Sequence, residues 1–106
     1  MVHVLVHFEL ENGKLDAFVE AFSQVVPIVR AEQGCLQYDP MIDLTGTDLA
    51  LPFTIHADSV TLLETWESLD ALKSHLVADH MVAHRIRVKD MIRKTTVRLL
   101  QGIVGP

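Results

Sequence analysis

Val2, Val4, Val6, Phe8 and Leu10 alternate with His3, Leu5, His7 and Glu9, a period of two that predicts a strand. Its second face is mixed, so both faces are expected to be at least partly covered. The stretch "ENG" turns the chain, with Gly13 free to take positive φ. Leu15, Phe18, Val19, Phe22, Val25, Val26 and Val29 then recur at three and four residues, one face of a long helix. Pro27 within it removes a backbone donor and crowds the carbonyl of Ser23, which predicts a kink. Gly34 is the expected C-cap.

"CLQYDPMID" reads as a second strand, with Leu36, Tyr38 and Pro40 on one side. Pro40 argues for an edge position, because it cannot donate to a ladder. The segment "LTGTDLALPFTIHAD", from Leu44 to Asp58, has no clear period and is too long for a tight hairpin. It predicts a lid or an irregular strand pair. "SVTLLETWES" is a third strand that places Val60, Leu62, Glu64 and Trp66 on one face. Ser68 suits the N-cap of a helix carrying Leu69, Leu72 and Leu76. Asp79 could cap a second helical piece over roughly 80–92, with Met81, Val88 and Ile92 inward. "KTTVRLLQGI" is the last strand. The order β-α-β-β-α-β is that of an α+β, ferredoxin-like sandwich, with an antiparallel sheet ordered 4-1-3-2 and the helices on one face. The opposite face is left apolar and open.

Composition adds to this picture. A chain of 106 residues is expected to form one domain over 1–106. With 49% hydrophobic and 22% charged residues, it has more apolar surface than a domain this small readily buries, which points to a homodimer. The net charge of −5, with nine Lys and Arg, argues against nucleic acid and anionic membranes as partners. Cys35 is the single cysteine, which excludes an intramolecular disulfide or a multi-cysteine metal site. The N-terminal stretch has no basic n-region, and no run nears the ~18 apolar residues of a membrane span. A cytoplasmic location is the expectation.

The stretch "ETWESLDALKSHLVADHM", residues 64–81, concentrates the candidate chemistry. The expected strand order sets His7 beside Glu64 and Trp66, brings Tyr38 from the second strand, and lays His75 and His80 over that face. These side chains could converge on a cavity between sheet and helices. Each also has a structural alternative. Trp66 and Tyr38 could be packing, His7 a half-exposed strand residue, and His75 a buried histidine bonded to a carbonyl. Glu64, on an apolar face, needs a partner, and Arg98 on the last strand could supply one. His80 and His84 are spaced i, i+4 but have no obvious third ligand, so no metal is expected. Cys35 follows a helix end rather than opening a helix, a poor position for a thiolate nucleophile. No phosphate loop, dinucleotide fingerprint or nucleophile elbow is present.

"EQGCLQYDP" after the first helix and "ETWESLDALKSHLVADHM" after the third strand resemble the antibiotic biosynthesis monooxygenase (ABM) superfamily, and within it the bacterial quinol monooxygenases. The likeness runs from the first strand to "VRLLQGI", and the long 44–58 connection also resembles that subgroup. The resemblance implies a dimeric α+β barrel with a pocket between sheet and helices. It also implies oxidation of dihydroxy-aromatic compounds by O2 without flavin, haem or metal. Haem-degrading relatives use a first-strand asparagine, a third-strand tryptophan and a histidine in the second helical region. Trp66 matches the tryptophan and His75 resembles the histidine, but His7 stands where the asparagine is expected, which weakens a haem reading. Other relatives isomerise small phosphorylated signalling molecules, and this chain has no clear phosphate clamp. The resemblance therefore assigns His75 as base or proton relay and Glu64 as its partner or that of His7. Trp66, Tyr38, Phe53 and His80 would enclose a small aromatic substrate.

Overall fold

The period-two stretch forms β1 (Val2–Leu10), and the three-and-four pattern forms α1 (Leu15–Arg30). The computed structural model describes residues 1–105. It continues with β2 (Cys35–Met41), β3 (Ser59–Trp66), α2 (Leu69–Val77), α3 (Asp79–Val88), a 3-10 turn (Lys89–Met91) and β4 (Ile92–Leu100). The strands lie in the order β2-β3-β1-β4, every neighbouring pair antiparallel. This is the expected α+β, ferredoxin-like arrangement, with its second helical region divided in two.

Residues directly opposite in an antiparallel pair share a sheet face. Val4 opposes Glu64, Val6 opposes Leu62, and Tyr38 opposes Glu64 on its other side. These residues form the helix-covered face. Val4, Val6, Val60, Leu62 and Trp66 bury against Phe18, Phe22, Val25 and Val29 of α1, with Leu72, Met81 and Val88 from the later helices. Phe8, Phe18 and Phe22 bring their rings within 5.0–5.8 Å of one another, which suits edge and tilted aromatic packing.

Several boundaries differ from the sequence expectation. The helix α1 runs through Pro27 and is capped at Ala31, not Gly34. Gly34 instead sits in the turn into β2 with φ +84, where an added Cβ would meet the Ala71 Cβ at 2.6 Å. The Ser68 side chain accepts from the Ala71 N–H as an N-cap. Asp79 is not a cap, because Ala78 takes that position without a side-chain bond. Leu69 and Leu76 face outward, so α2 buries Leu72 and His75.

The 44–58 segment does not lie over the helix side. It folds across the opposite sheet face, where Leu44, Leu49, Leu51, Phe53, Ile55 and His56 meet Leu5, His7 and Thr61 around a cavity of about 580 Å³. The His56 backbone N–H and ring Nδ1 both reach Asp43 Oδ2, at 2.7 and 3.0 Å, holding that carboxyl below its usual range. β4 is left largely bare on both faces. Val97 and Leu99 oppose Val6 and Val4, yet are 57% and 60% exposed. Among the described residues no helix is long and apolar enough to cross a membrane.

Candidate functional site

The parity of β3 turns Glu64 and Trp66 toward the helices, and both are buried, Trp66 completely. The Trp66 Nε1–H donates to Glu64 Oε1 at 2.8 Å. Above them α2 carries His75, 2% exposed, with its ring centroid 4.5 Å from that of Trp66 and 5.6 Å from that of Tyr38. Its Nε2 lies 4.0 Å from Glu64 Oε1. Its Nδ1 lies 2.9 Å from Glu32 Oε2, and His80 Nε2 approaches the same oxygen at 2.8 Å. A carboxylate only accepts, so both imidazole nitrogens act as donors. The result is one connected chain, Trp66–Glu64–His75–Glu32–His80.

Glu32 enters this chain because α1 ends two residues earlier. The Glu32 N–H bonds Val29 O, and its carbonyl accepts from the Cys35 N–H. Gly34 then lets the turn pack directly on α2, with the Glu67 N–H bonded to Gly34 O at 2.8 Å. Exposure grades outward along the chain, from His75 at 2% through Glu32 at 15% to His80 at 25%. The outer end opens into a groove of about 460 Å³ that Glu32, Gly34, Glu67, Ser68, Ser74 and His80 help to line.

Burial pushes the Glu64 carboxyl above its ordinary range, while the Trp66 bond and the His75 charge oppose this. Burial likewise raises the Tyr38 phenol, with Glu64 and Glu32 adding to the effect. The Cys35 thiol is also raised by burial, with both glutamates contributing. A reactive thiolate there is disfavoured, in line with the position Cys35 holds after a helix end.

The structure thus joins Glu64, Trp66, Tyr38, His75 and His80, and excludes two expected members. His7 lies on the other sheet face, opposite Thr61, and its Nδ1 is 3.3 Å from Thr61 Oγ1. It cannot partner Glu64, because alternate residues of a strand point to opposite faces. Phe53 follows its loop to that same far face. Arg98 opposes Leu5 and is likewise on the wrong side for Glu64. Trp66 has no exposed surface, so it packs and positions rather than walls an open cavity. A further cavity of about 520 Å³, between α1 and the end of β2, is lined by Phe22, Val26, Pro27 and Pro40, and none of the candidate residues borders it. His84 packs edge-on against Phe22 rather than pairing with His80.

Glu32 was missed from the sequence. An acid just before Gly34 is an unremarkable helix end, and its partners are 43 and 48 residues away.

The sequence pattern of the antibiotic biosynthesis monooxygenase family matches residues 1–86, a span that includes every residue of this chain of contacts. The Escherichia coli (strain K12) protein named "Probable quinol monooxygenase YgiN" is 36% identical over 86 residues, covering 80% of each chain. The Shigella flexneri protein of the same name matches equally. Among solved structures, PA3566 from Pseudomonas aeruginosa superposes with a TM-score of 0.81 at 19% identity, over 97% of this chain and 94% of that one. Rv0793 from Mycobacterium tuberculosis does so with a TM-score of 0.79 at 23% identity, over 98% and 96%. At these identities the two structures speak to the fold alone.

Proposed function

The chain belongs to the antibiotic biosynthesis monooxygenase family, and on that premise we propose that it oxidises a quinol-like, dihydroxy-aromatic small molecule with O2, without an organic or metal cofactor. In this reading it works in the cytoplasm as a homodimer. The reaction balances without an external reductant, since a quinol plus O2 gives a hydroxyquinone plus water. Triplet O2 reacts poorly with closed-shell molecules, but a deprotonated quinol is electron-rich enough to pass it the first electron. The protein then needs to hold the ring, exclude bulk water and take a proton.

The observation that carries the reading is His75, a buried imidazole whose Nδ1 is hydrogen-bonded to Glu32, whose Nε2 lies 4.0 Å from Glu64, and whose ring packs on Trp66. A carboxylate positioned by an imidazole suits proton removal near neutral pH. The groove at the Glu32–His80 end is the entry. At about 460 Å³ it falls in the range of small-molecule sites, with Gly34, Ala71 and Ala78 as floor and His80 and Glu32 facing a hydroxyl. Glu64 orients His75, while Trp66 and Tyr38 hold its ring. Glu32, which borders the groove and accepts from both imidazoles, takes the substrate proton. His75, buried behind it, holds and orients that carboxylate, and the proton leaves to water past His80.

Oxygen uptake with reduced naphthoquinones tests this, with buffer-blank subtraction because quinols autoxidise. The chelator-treated protein should consume O2 above the blank. His75→Ala should keep its fold and, with Glu32 no longer held, lose ~10²–10⁴-fold in blank-corrected rate, the usual worth of a positioned acid–base group. Full activity in that variant would make His75 structural and defeat the proton-removal mechanism.

A further inference from the structure

We propose that Glu32, His75 and His80 form a binding site for one divalent first-row transition ion of the zinc class. The three donor atoms, one carboxylate oxygen and two imidazole nitrogens, all lie within 4.8 Å of one another. The binding claim does not rest on the quinol reading.

Four observations converge. The first is donor chemistry: two imidazoles and one carboxylate suit zinc, cobalt, nickel or copper, whereas calcium and magnesium prefer all-oxygen sites. The second is spacing. Bonds of about 2.0–2.1 Å in a tetrahedral site place donor atoms roughly 3.3 Å apart. Glu32 Oε2 already stands 2.9 Å from His75 Nδ1 and 2.8 Å from His80 Nε2, and the two nitrogens lie within 4.8 Å of each other. The carboxylate must therefore draw back and the partly exposed His80 ring adjust to admit the ion.

The third observation is the outer support. A metal-bound histidine ordinarily presents its other ring N–H to a carboxylate. His75 has Glu64 Oε1 at 4.0 Å from Nε2, and Glu64 is itself fixed by the Trp66 Nε1–H. With Nδ1 on the ion, the His75 hydrogen moves to Nε2 and faces Glu64. The fourth is access. His80 and Glu32 border the groove that also carries Glu67 and Asp70, an acidic approach for a cation that leaves the remaining coordination positions toward solvent. The i, i+4 pair His80 and His84 is not the site, since His84 is buried against Phe22 and its Nδ1 has no partner among the described residues.

One consequence does rest on the proposed function. The ion would occupy the Glu32 oxygen that takes up the substrate proton and the two nitrogens that hold it, so the loaded protein should be inhibited.

Calorimetric titration of Zn2+ into chelator-treated protein, with Co2+ visible absorption as a second readout, tests the site. One ion per chain should bind. Glu32→Gln and His80→Ala should each weaken binding by at least ~100-fold, because loss of even an outer-shell partner typically costs ~10–100-fold. Using both variants guards against misfolding of either, and His7→Ala should bind as the parent does. Absence of one-per-chain uptake, or uptake that both variants retain, overturns the proposal. Oxygen uptake then separates the two claims. Stoichiometric Zn2+ that binds without lowering quinol turnover leaves the site standing and removes the inhibition. Turnover that appears only with metal also leaves the site standing but overturns the cofactor-free reaction.

Discussion

His84 illustrates how one side chain can set acid sensitivity. It is 3% exposed, and among the described residues its Nδ1 has no hydrogen-bond partner. Burial, with help from Arg87 and Arg85, depresses its pKa from 6.5 to about 4. The folded state therefore keeps His84 neutral, while the unfolded chain binds a proton once the pH falls below 6.5. Between those values the unfolded state holds more protons, so stability is full above pH 6.5 and declines as pH drops toward 4. The loss should reach on the order of 2 kcal/mol at pH 5, from ~1.4 kcal/mol per pH unit. Urea denaturation at pH 7 and pH 5 checks this. His84→Leu, which fills the site and removes the orphaned nitrogen, should flatten the difference. An unchanged drop in that variant would place the acid sensitivity elsewhere.

At the scale of elements, the decisive junction is the turn from α1 into β2. Gly34 takes positive φ and lies where a Cβ would overlap Ala71. Left-handed backbone costs a non-glycine residue about 1–2 kcal/mol, and here the overlap with α2 adds to it. Gly34→Ala should thus destabilise the fold by more than that and push α2 from the turn, loosening the Glu32–His75 contact. A lowered urea midpoint together with altered His75 imidazole NMR shifts is the expected result. An unchanged midpoint would mean that the turn relaxes freely. The 44–58 segment shows the opposite case, since its length suggested a lid but its hydrophobic residues follow the uncovered sheet face instead.

For the whole molecule, the unsettled surface is apolar. The helices span β2, β3 and β1 but stop short of β4, leaving Val97 and Leu99 bare, while Leu44, Leu49, Leu51 and Ile55 remain exposed on the other side. A small domain that leaves this much apolar surface in water usually covers it with another chain. Light scattering at micromolar concentration should return twice 11.9 kDa. A clean monomer would show that the loop alone covers enough of the open face.

Local pattern decided a great deal. Alternation placed β1 and β3, the three-and-four spacing placed α1, and Pro40 marked β2 as an edge, because each depends on neighbours within a few residues. The order of those elements implied the sheet order that is observed. Parity also separated His7 from Glu64, since odd residues of β1 share a face with Thr61 and even ones with Glu64. That information was present in the chain, and grouping His7 with Glu64 overlooked it. Tertiary structure alone decided the rest. Glu32 meets His75 and His80 only because the turn at Gly34 closes on α2, and no local pattern encodes a contact across 43 or 48 residues. The side taken by the 44–58 segment is likewise a matter of which apolar surface the helices leave uncovered. Periodicity reports which way a residue faces, and packing reports what it meets there.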